Sequence, residues 1–92
     1  MKIVEKKKAE KSTEFKFENG AWVKIHHMDG EYGSWEYQED EEDEETYMEG
    51  GLWFEDKELV DYDGCYELPE EVKLALDDLG YKFEDEDKRL RR

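Results

Sequence analysis

The sequence has few of the features that anchor, cross-link or equip a small protein for catalysis. Its 92 residues include one cysteine, Cys65, so no disulfide can form within the chain, which suits a reducing compartment. No stretch approaches the roughly 20 apolar residues that cross a bilayer. The first residues also lack the apolar run of a signal peptide. We therefore expect a soluble cytoplasmic protein with no membrane partner.

Motifs for catalysis are also missing. The serines, the threonines and the cysteine lie outside recognisable nucleophile motifs, and no glycine-rich phosphate loop is present. His26 and His27 are adjacent on a predicted strand, where neighbouring side chains point to opposite faces, so they cannot chelate one ion together. No other Cys or His completes a zinc set. We expect no enzymatic activity, no cofactor and no specific metal site.

Basic residues are scarce in the middle of the chain. The net charge is −15, and residues 29–87 hold 25 acidic residues against three lysines, a local net charge of −22. The two ends are basic. Such a body repels DNA, RNA and anionic membranes, so direct nucleic-acid binding is not expected. The expected partner is a basic protein or complex that itself binds nucleic acid.

Apolar residues make up 36% of the chain and aromatic residues 14%. Charge and hydropathy alone approach the composition of disordered proteins, but each aromatic side chain can bury a large area. We predict one ordered domain, residues 1–92, with a thin aromatic core. Residues 1–12 and 86–92 are expected to be frayed ends, or weakly paired at an edge in the case of the first segment.

A first hairpin is predicted around an Asn-Gly pair that separates two alternating apolar segments. A two-residue loop would put Phe15 and Phe17 on the face opposite Val23. A three-residue loop with Gly20 left-handed instead pairs Phe17 with Ala21 and Phe15 with Val23. The second register gives one apolar face, and we prefer it because register follows the hydrophobic pattern.

Later segments complete an α+β pattern. A half-buried strand is predicted over residues 34–38, where aromatic and polar residues alternate, and extended structure resumes over residues 46–49. A bulge or sharp bend is predicted at Gly50-Gly51. A second hairpin is predicted over residues 52–62, with its turn around Asp56-Lys57. A helix over about residues 69–79 begins with Pro69 at its first position, buries one face and ends at Gly80. We predict an antiparallel meander of about four or five strands with this helix on one face.

Seven consecutive carboxylates, residues 39–45, lie between two predicted strands. Same-face residues recur about every 6.6 Å along a strand, and helical i and i+4 side chains are about 6 Å apart. Both spacings are near that of phosphates along a nucleic-acid strand. The acidic surface could therefore imitate a phosphate track, with further carboxylates from Glu36, Glu49, Glu55, Asp61, Asp63, Glu67, Glu70, Glu71, Asp77 and Asp78.

The predicted partner-binding residues combine these carboxylates with aromatic side chains, which are enriched at interface hot spots. They are Glu36, Glu39, Asp40, Glu41, Glu42, Asp43, Glu44, Glu45, Glu49, Trp35 and Tyr47, and Tyr32 is a further aromatic candidate. A simpler interpretation is that the acidic residues serve solubility alone. Segregation of the charge and the internal position of the run favour a function.

In size, in its isoelectric point near 4.4, in the residue 39–45 run and in its α+β pattern, the chain resembles the small phage-encoded inhibitors of bacterial defence, the anti-CRISPR and anti-restriction DNA mimics. This resemblance implies a cytoplasmic protein of a bacterial host cell that blocks the basic DNA- or RNA-binding groove of a defence effector complex, without catalysis. The alternative is a structural or assembly module that forms a homodimer, or binds a partner, through aromatic residues.

Overall fold

A computed structural model describes residues 2–27, 31–63 and 68–83. The strands and helices run in the order β1 (Ile3–Lys8), β2 (Ser12–Phe17), β3 (Trp22–His27), β4 (Tyr32–Gln38), β5 (Met48–Glu55), β6 (Glu58–Tyr62), α1 (Glu70–Asp78) and β7 (Lys82–Phe83). One turn of 3-10 helix, Glu44–Thr46, lies between β4 and β5. The prediction about residues 86–92 concerns a segment outside the described residues.

The strands form a single sheet in sequence order. β1 to β6 are an antiparallel meander, and the two-residue β7 pairs with β6 in parallel. The α+β class is confirmed, but four or five strands was too few. β1 lies at the edge of the sheet, which is the second of the two alternatives left open for residues 1–12, and it was not counted among the strands because its Lys/Glu-rich sequence, with only Ile3 partly buried, carries little hydrophobic pattern.

The β2–β3 hairpin has the predicted three-residue loop. Phe15 lies opposite Val23, and the Phe17 amide donates to the Ala21 carbonyl at 3.0 Å. Gly20 has φ of +91° and donates to the Phe17 carbonyl at 3.0 Å. A residue without a Cβ adopts this conformation without steric cost. The loop thus aligns the buried residues of both strands on one face.

One face of the sheet, covered by α1, holds the hydrophobic core. Its fully buried side chains include Phe15, Ile25, Trp35, Leu52, Leu59, Val72 and Leu76. Pro69 precedes the first helical residue instead of occupying it, a one-residue difference from the prediction. At the other end, Gly80 (φ +90°) and Tyr81 donate to the carbonyls of Asp77 and Leu76, both at 3.0 Å. This pair of bonds is a Schellman motif, and Gly80 ends the helix as predicted.

A buried carboxylate fastens the helix to the sheet. Glu71 accepts from Asn19 Nδ2 at 3.2 Å and from the Tyr37 hydroxyl at 3.3 Å. Burial, together with the negative charge of Glu71, raises the pKa of Tyr37 to about 12. The start of α1 is therefore tied both to the β2–β3 loop and to the middle of the sheet.

Gly50 and Gly51 form neither a bulge nor a bend, contrary to the prediction. Both lie inside β5, where they pair with Trp35 and Ser34 of β4, and the register shift in β5 comes later, between Trp53 and Phe54. A Cβ on Gly50 would overlap the carbonyl oxygen of Asp63. Residue 50 must be glycine because the backbone after β6 lies against it. Close approach of another backbone is one of the reasons why glycine occurs inside a strand.

Candidate functional site

The acidic loop, residues 39–45, is folded into consecutive hydrogen-bonded turns. Asp40 Oδ1 accepts from the Glu42 amide at 3.0 Å, and Asp43 Oδ1 accepts from the Glu45 amide at 3.1 Å. Thr46 Oγ1 donates to the Asp43 carbonyl at 2.7 Å. Aspartates favour such local bonds to the backbone two residues on. The side chains of Asp40 and Asp43 therefore stabilise the turns of the loop that carries the other carboxylates.

The acidic loop is also attached to the neighbouring hairpin. The Glu41 amide donates to the Gly20 carbonyl at 3.0 Å, and Gln38 Nε2 donates to the carbonyls of Glu41 and Asp43 at 3.4 and 3.3 Å. Lys16 Nζ lies 3.1 Å from Glu41 Oε1, and this hydrogen bond and charge raise the pKa of Lys16. The loop therefore has a defined position beside the β2–β3 turn.

The seven carboxylates of the loop are all on exposed residues. Within the described part of the chain, Glu41–Lys16 is the single ion pair that any of them makes. The loop therefore presents nearly its full negative charge to solvent, and a cationic surface could neutralise it.

A second acidic feature lies on the open face, which we define as the side of the sheet not covered by α1, bearing Tyr32, Ser34 and Glu36 of β4 and Glu49 and Trp53 of β5. Glu36 and Glu49 are directly opposite each other across the two strands. The Tyr47 hydroxyl lies 2.8 Å from Glu36 Oε1 and 2.6 Å from Glu49 Oε2. Its single proton serves one carboxylate at a time.

His26 of β3 contacts the other oxygen of Glu36 through Nε2. Burial alone would raise the pKa of Glu36, but the bonds from His26 and Tyr47 and the neighbouring positive charge outweigh it, so this pKa is lowered. The pKa of Tyr47 is raised, first by burial and then by its bonds to the two carboxylates. Glu36 is therefore held as a carboxylate and Tyr47 as a neutral phenol near pH 7.

A hollow of about 550 Å³ opens beside these groups. Ser34 and Gly51 are cross-strand partners there, and the ring of Trp53 lies over Gly51, where an added Cβ would meet it at 2.9 Å. His26 and Asp63 also line the hollow. Tyr32 contacts Trp53 edge-to-face, with ring centroids 5.5 Å apart. Trp53 and Tyr47 are 38% and 40% exposed, respectively. The open face thus combines exposed aromatic surface with two carboxylates, of which Glu36 has His26 in contact and Lys24 directly opposite on β3.

The structure brings most of the predicted residues together, with Trp35 as a correction. Glu36, Glu49 and Tyr47 meet on the open face, and Tyr47 is separated from the acidic loop by Thr46 alone. Trp35 is wholly buried, and its indole Nε1 donates to the Asp63 carbonyl at 3.1 Å. Trp35 belongs to the core because it shares the inward face of β4 with Tyr37, so it is not an exposed contact residue.

The wider acidic track is also divided. Glu70, Asp77 and Asp78 are carried by α1, on the other side of the sheet from Glu36 and Glu49, and Glu71 is buried. Glu67 lies outside the described residues. Sequence reasoning missed His26 and Trp53 as members of the open face, although two-residue alternation along β5 places Trp53 with Glu49.

No protein-family model matches the chain, and no curated protein or solved structure matches it either. Among the described residues there is no group of three or more His, Cys, Asp or Glu side chains that could hold a metal ion. In the same residues, α1 is too short to cross a membrane and no other helix is longer.

Proposed function

We propose that this protein is a non-catalytic, protein-binding inhibitor that occupies the basic DNA- or RNA-binding groove of a bacterial defence effector complex. The observation that carries the proposal is the acidic loop, whose seven exposed carboxylates are held in defined turns with one internal ion pair. The anti-CRISPR and anti-restriction inhibitors that the sequence resembles give the class of target. The cytoplasm of a bacterial host cell is the corresponding location.

Two physical effects favour this mode of binding. Dense charge on one side of a small protein accelerates association with an oppositely charged groove and makes that association sensitive to salt. A loop that is already folded loses less conformational entropy when it binds than a disordered one would. The exposed rings of Tyr47 and Trp53 add contact area beside the charge.

Displacement of nucleic acid from purified effectors tests the proposal. CRISPR interference complexes and restriction enzymes would be loaded with fluorescent target duplex, and release would be followed by anisotropy as the protein is added. We expect release by the wild type and at least tenfold weaker release by Glu42→Lys/Glu44→Lys, because attraction at the loop becomes repulsion.

The matched control is Glu10→Lys/Asp77→Lys, which makes the same change in net charge at exposed positions away from the acidic loop. It should stay within about threefold of wild type. Equal losses in the two double variants, or no release from any effector, would contradict the proposal.

Self-association through the open face is the second candidate, favoured by the exposure of Tyr47 and Trp53 on one side of the sheet. Stacking two open faces would bring Glu36 and Glu49 of each copy together, which is unfavourable for like charges. We therefore rank it lower. Sedimentation equilibrium at 10 µM to 1 mM distinguishes the two, since a monomer keeps a mass near 11.1 kDa throughout.

A further inference from the structure

We propose that Asn19 is a site of spontaneous deamidation, and that the acidic residue formed at position 19 weakens the attachment of α1 to the sheet. Asn19 is the one asparagine of the chain, and Gly20 follows it. Both residues lie in the exposed β2–β3 loop, where water can reach them. The modification would act on the fold whatever the protein binds.

Asparagine followed by glycine is chemically labile, because no Cβ hinders the attack of the glycine nitrogen on the asparagine side chain. A bond forms between the Gly20 nitrogen and Asn19 Cγ, the Gly20 nitrogen loses its proton, and the side-chain nitrogen leaves as ammonia. Water then opens the cyclic imide at one of its two carbonyl groups, which gives aspartate or isoaspartate. The net reaction consumes water and releases ammonia, without oxidation or reduction.

Hydrogen bonds hold both reacting groups in the folded loop. The Gly20 amide donates to the Phe17 carbonyl at 3.0 Å, and Asn19 Oδ1 accepts from the Ala21 amide at 3.1 Å. The attack therefore requires the loop to open. Residues 18–20 are exposed, so the loop can open while the core stays packed. The folded protein should react more slowly than the unfolded chain, but it should react.

The side chain of Asn19 is a neutral donor at a position where a carboxylate would be repelled. Its Nδ2 donates to Glu71 Oε2 at 3.2 Å, and Glu71 is only 7% exposed. Deamidation replaces this donor with a second carboxylate, so a hydrogen bond becomes a contact between like charges at a site that water screens poorly. Because Glu71 lies in the first turn of α1, the repulsion acts on the attachment of the helix.

The isoaspartate product would also affect the acidic loop. It adds one carbon to the backbone between residues 19 and 20, and the Gly20 carbonyl accepts from the Glu41 amide at 3.0 Å. The same reaction therefore disturbs the attachment of the acidic loop to the β2–β3 turn.

Mass spectrometry tests the reaction. The whole protein would be kept at pH 8 and 37 °C, either folded or in guanidinium chloride, and digested with trypsin, which releases residues 17–24. We expect this peptide to gain the mass of an amide-to-acid change, at a rate in the folded protein no more than a hundredfold below the rate in denaturant. Asn19→Ser should show no gain. Greater protection by the fold, or a gain in Asn19→Ser, would overturn the assignment.

Asn19→Asp reproduces the aspartate product and tests its effect on the fold. In urea denaturation, its equilibrium constant for folding should be at least tenfold below that of wild type. Glu71→Gln returns a neutral donor to the pair, so in that background the same change should cost less than threefold. Ala9→Asp adds an equal charge at an exposed position at the other end of β2, and it should stay within threefold of wild type.

Two-dimensional NMR shows whether each variant is folded. If Asn19→Asp does not fold, Asn19→Asp/Glu71→Gln decides: a folded double variant supports the proposal, and an unfolded one overturns it, because repulsion from Glu71 is then not the cause. A loss in Asn19→Asp no larger than that in Ala9→Asp, or a loss that persists in full beside Glu71→Gln, would also overturn it.

Discussion

Replacement of Gly50 by alanine should destabilise the fold far more than the same change at its neighbour. The added methyl group would overlap the Asp63 carbonyl oxygen and come within 2.8 Å of Trp35 Nε1, so the backbone after β6 must move away. This movement breaks the bond in which the Trp35 indole donates to that carbonyl at 3.1 Å. Steric overlap and an unsatisfied buried donor therefore act at the same place.

The expected loss can be worked from these two effects. Forcing an extra methyl group into packed structure costs about 1–3 kcal/mol, and leaving a buried donor unsatisfied costs about 1–3 kcal/mol. Alanine recovers about 0.5–1 kcal/mol because it has less backbone freedom than glycine in the unfolded chain. The net loss of unfolding free energy is about 1–5.5 kcal/mol. For a domain of this size, each kcal/mol lowers Tm by about 4–8 °C.

Urea denaturation followed by tryptophan fluorescence measures the change, with Gly51→Ala as the control. A Cβ at residue 51 would meet the ring of Trp53 at 2.9 Å, but that side chain is partly exposed and can shift. We expect less than about 1 kcal/mol of loss there. The reasoning is refuted if Gly50→Ala stays within about 0.5 kcal/mol of either wild type or Gly51→Ala.

Three further predictions concern turns and titration. Lys57 has φ of +66° in the β5–β6 turn, so Lys57→Gly should raise the unfolding free energy by about 0.5–1 kcal/mol in urea titration, whereas Lys57→Ala, which keeps the Cβ, should not. Gly80→Ala should lower it by about 1 kcal/mol because φ is +90°, and an unchanged urea midpoint would count against this account of the helix end. Burial lowers the pKa of His27, so stability should fall as pH drops below the unfolded histidine value of 6.5. Burial raises the pKa of Tyr37 to about 12, so stability should also fall as pH rises from 10 towards 12. A urea midpoint that does not change in one of these pH ranges would contradict the account of the residue that titrates there.

Local patterns in the sequence were sufficient for the elements whose structure depends on neighbouring residues. The β2–β3 register followed from the alternating apolar residues on both strands, Phe15 and Phe17 before the loop and Val23 after it, and from the left-handed Gly20 in the loop. The helix followed from its apolar spacing and from Gly80. These elements obey short-range rules, because their hydrogen bonds join residues that are close in the chain.

The errors arose where distant parts of the chain meet. Residue 50 is glycine because the Asp63 carbonyl lies where a Cβ would be. Local sequence patterns do not reveal this contact, so Gly50-Gly51 was interpreted as a bulge or bend. Trp35 was expected on the surface because aromatic residues favour interfaces, but alternation with Tyr37 places it inward. The pairing of Glu36 with Glu49 depends on the β4–β5 register, which the seven-residue acidic loop left undetermined.

The order of the strands also bears on how the chain folds. Each strand from β2 to β6 pairs with the strand made just before it, so the sheet can grow from the amino end with short loops to close at every step. Such low contact order favours rapid folding for a sheet protein. The helix that covers the apolar face of the sheet, Glu70–Asp78, is synthesised after all six antiparallel strands, and β7 follows it. A nascent chain that stops before α1 would therefore display a bare apolar sheet, and the acidic charge of residues 39–45 would be its main defence against aggregation.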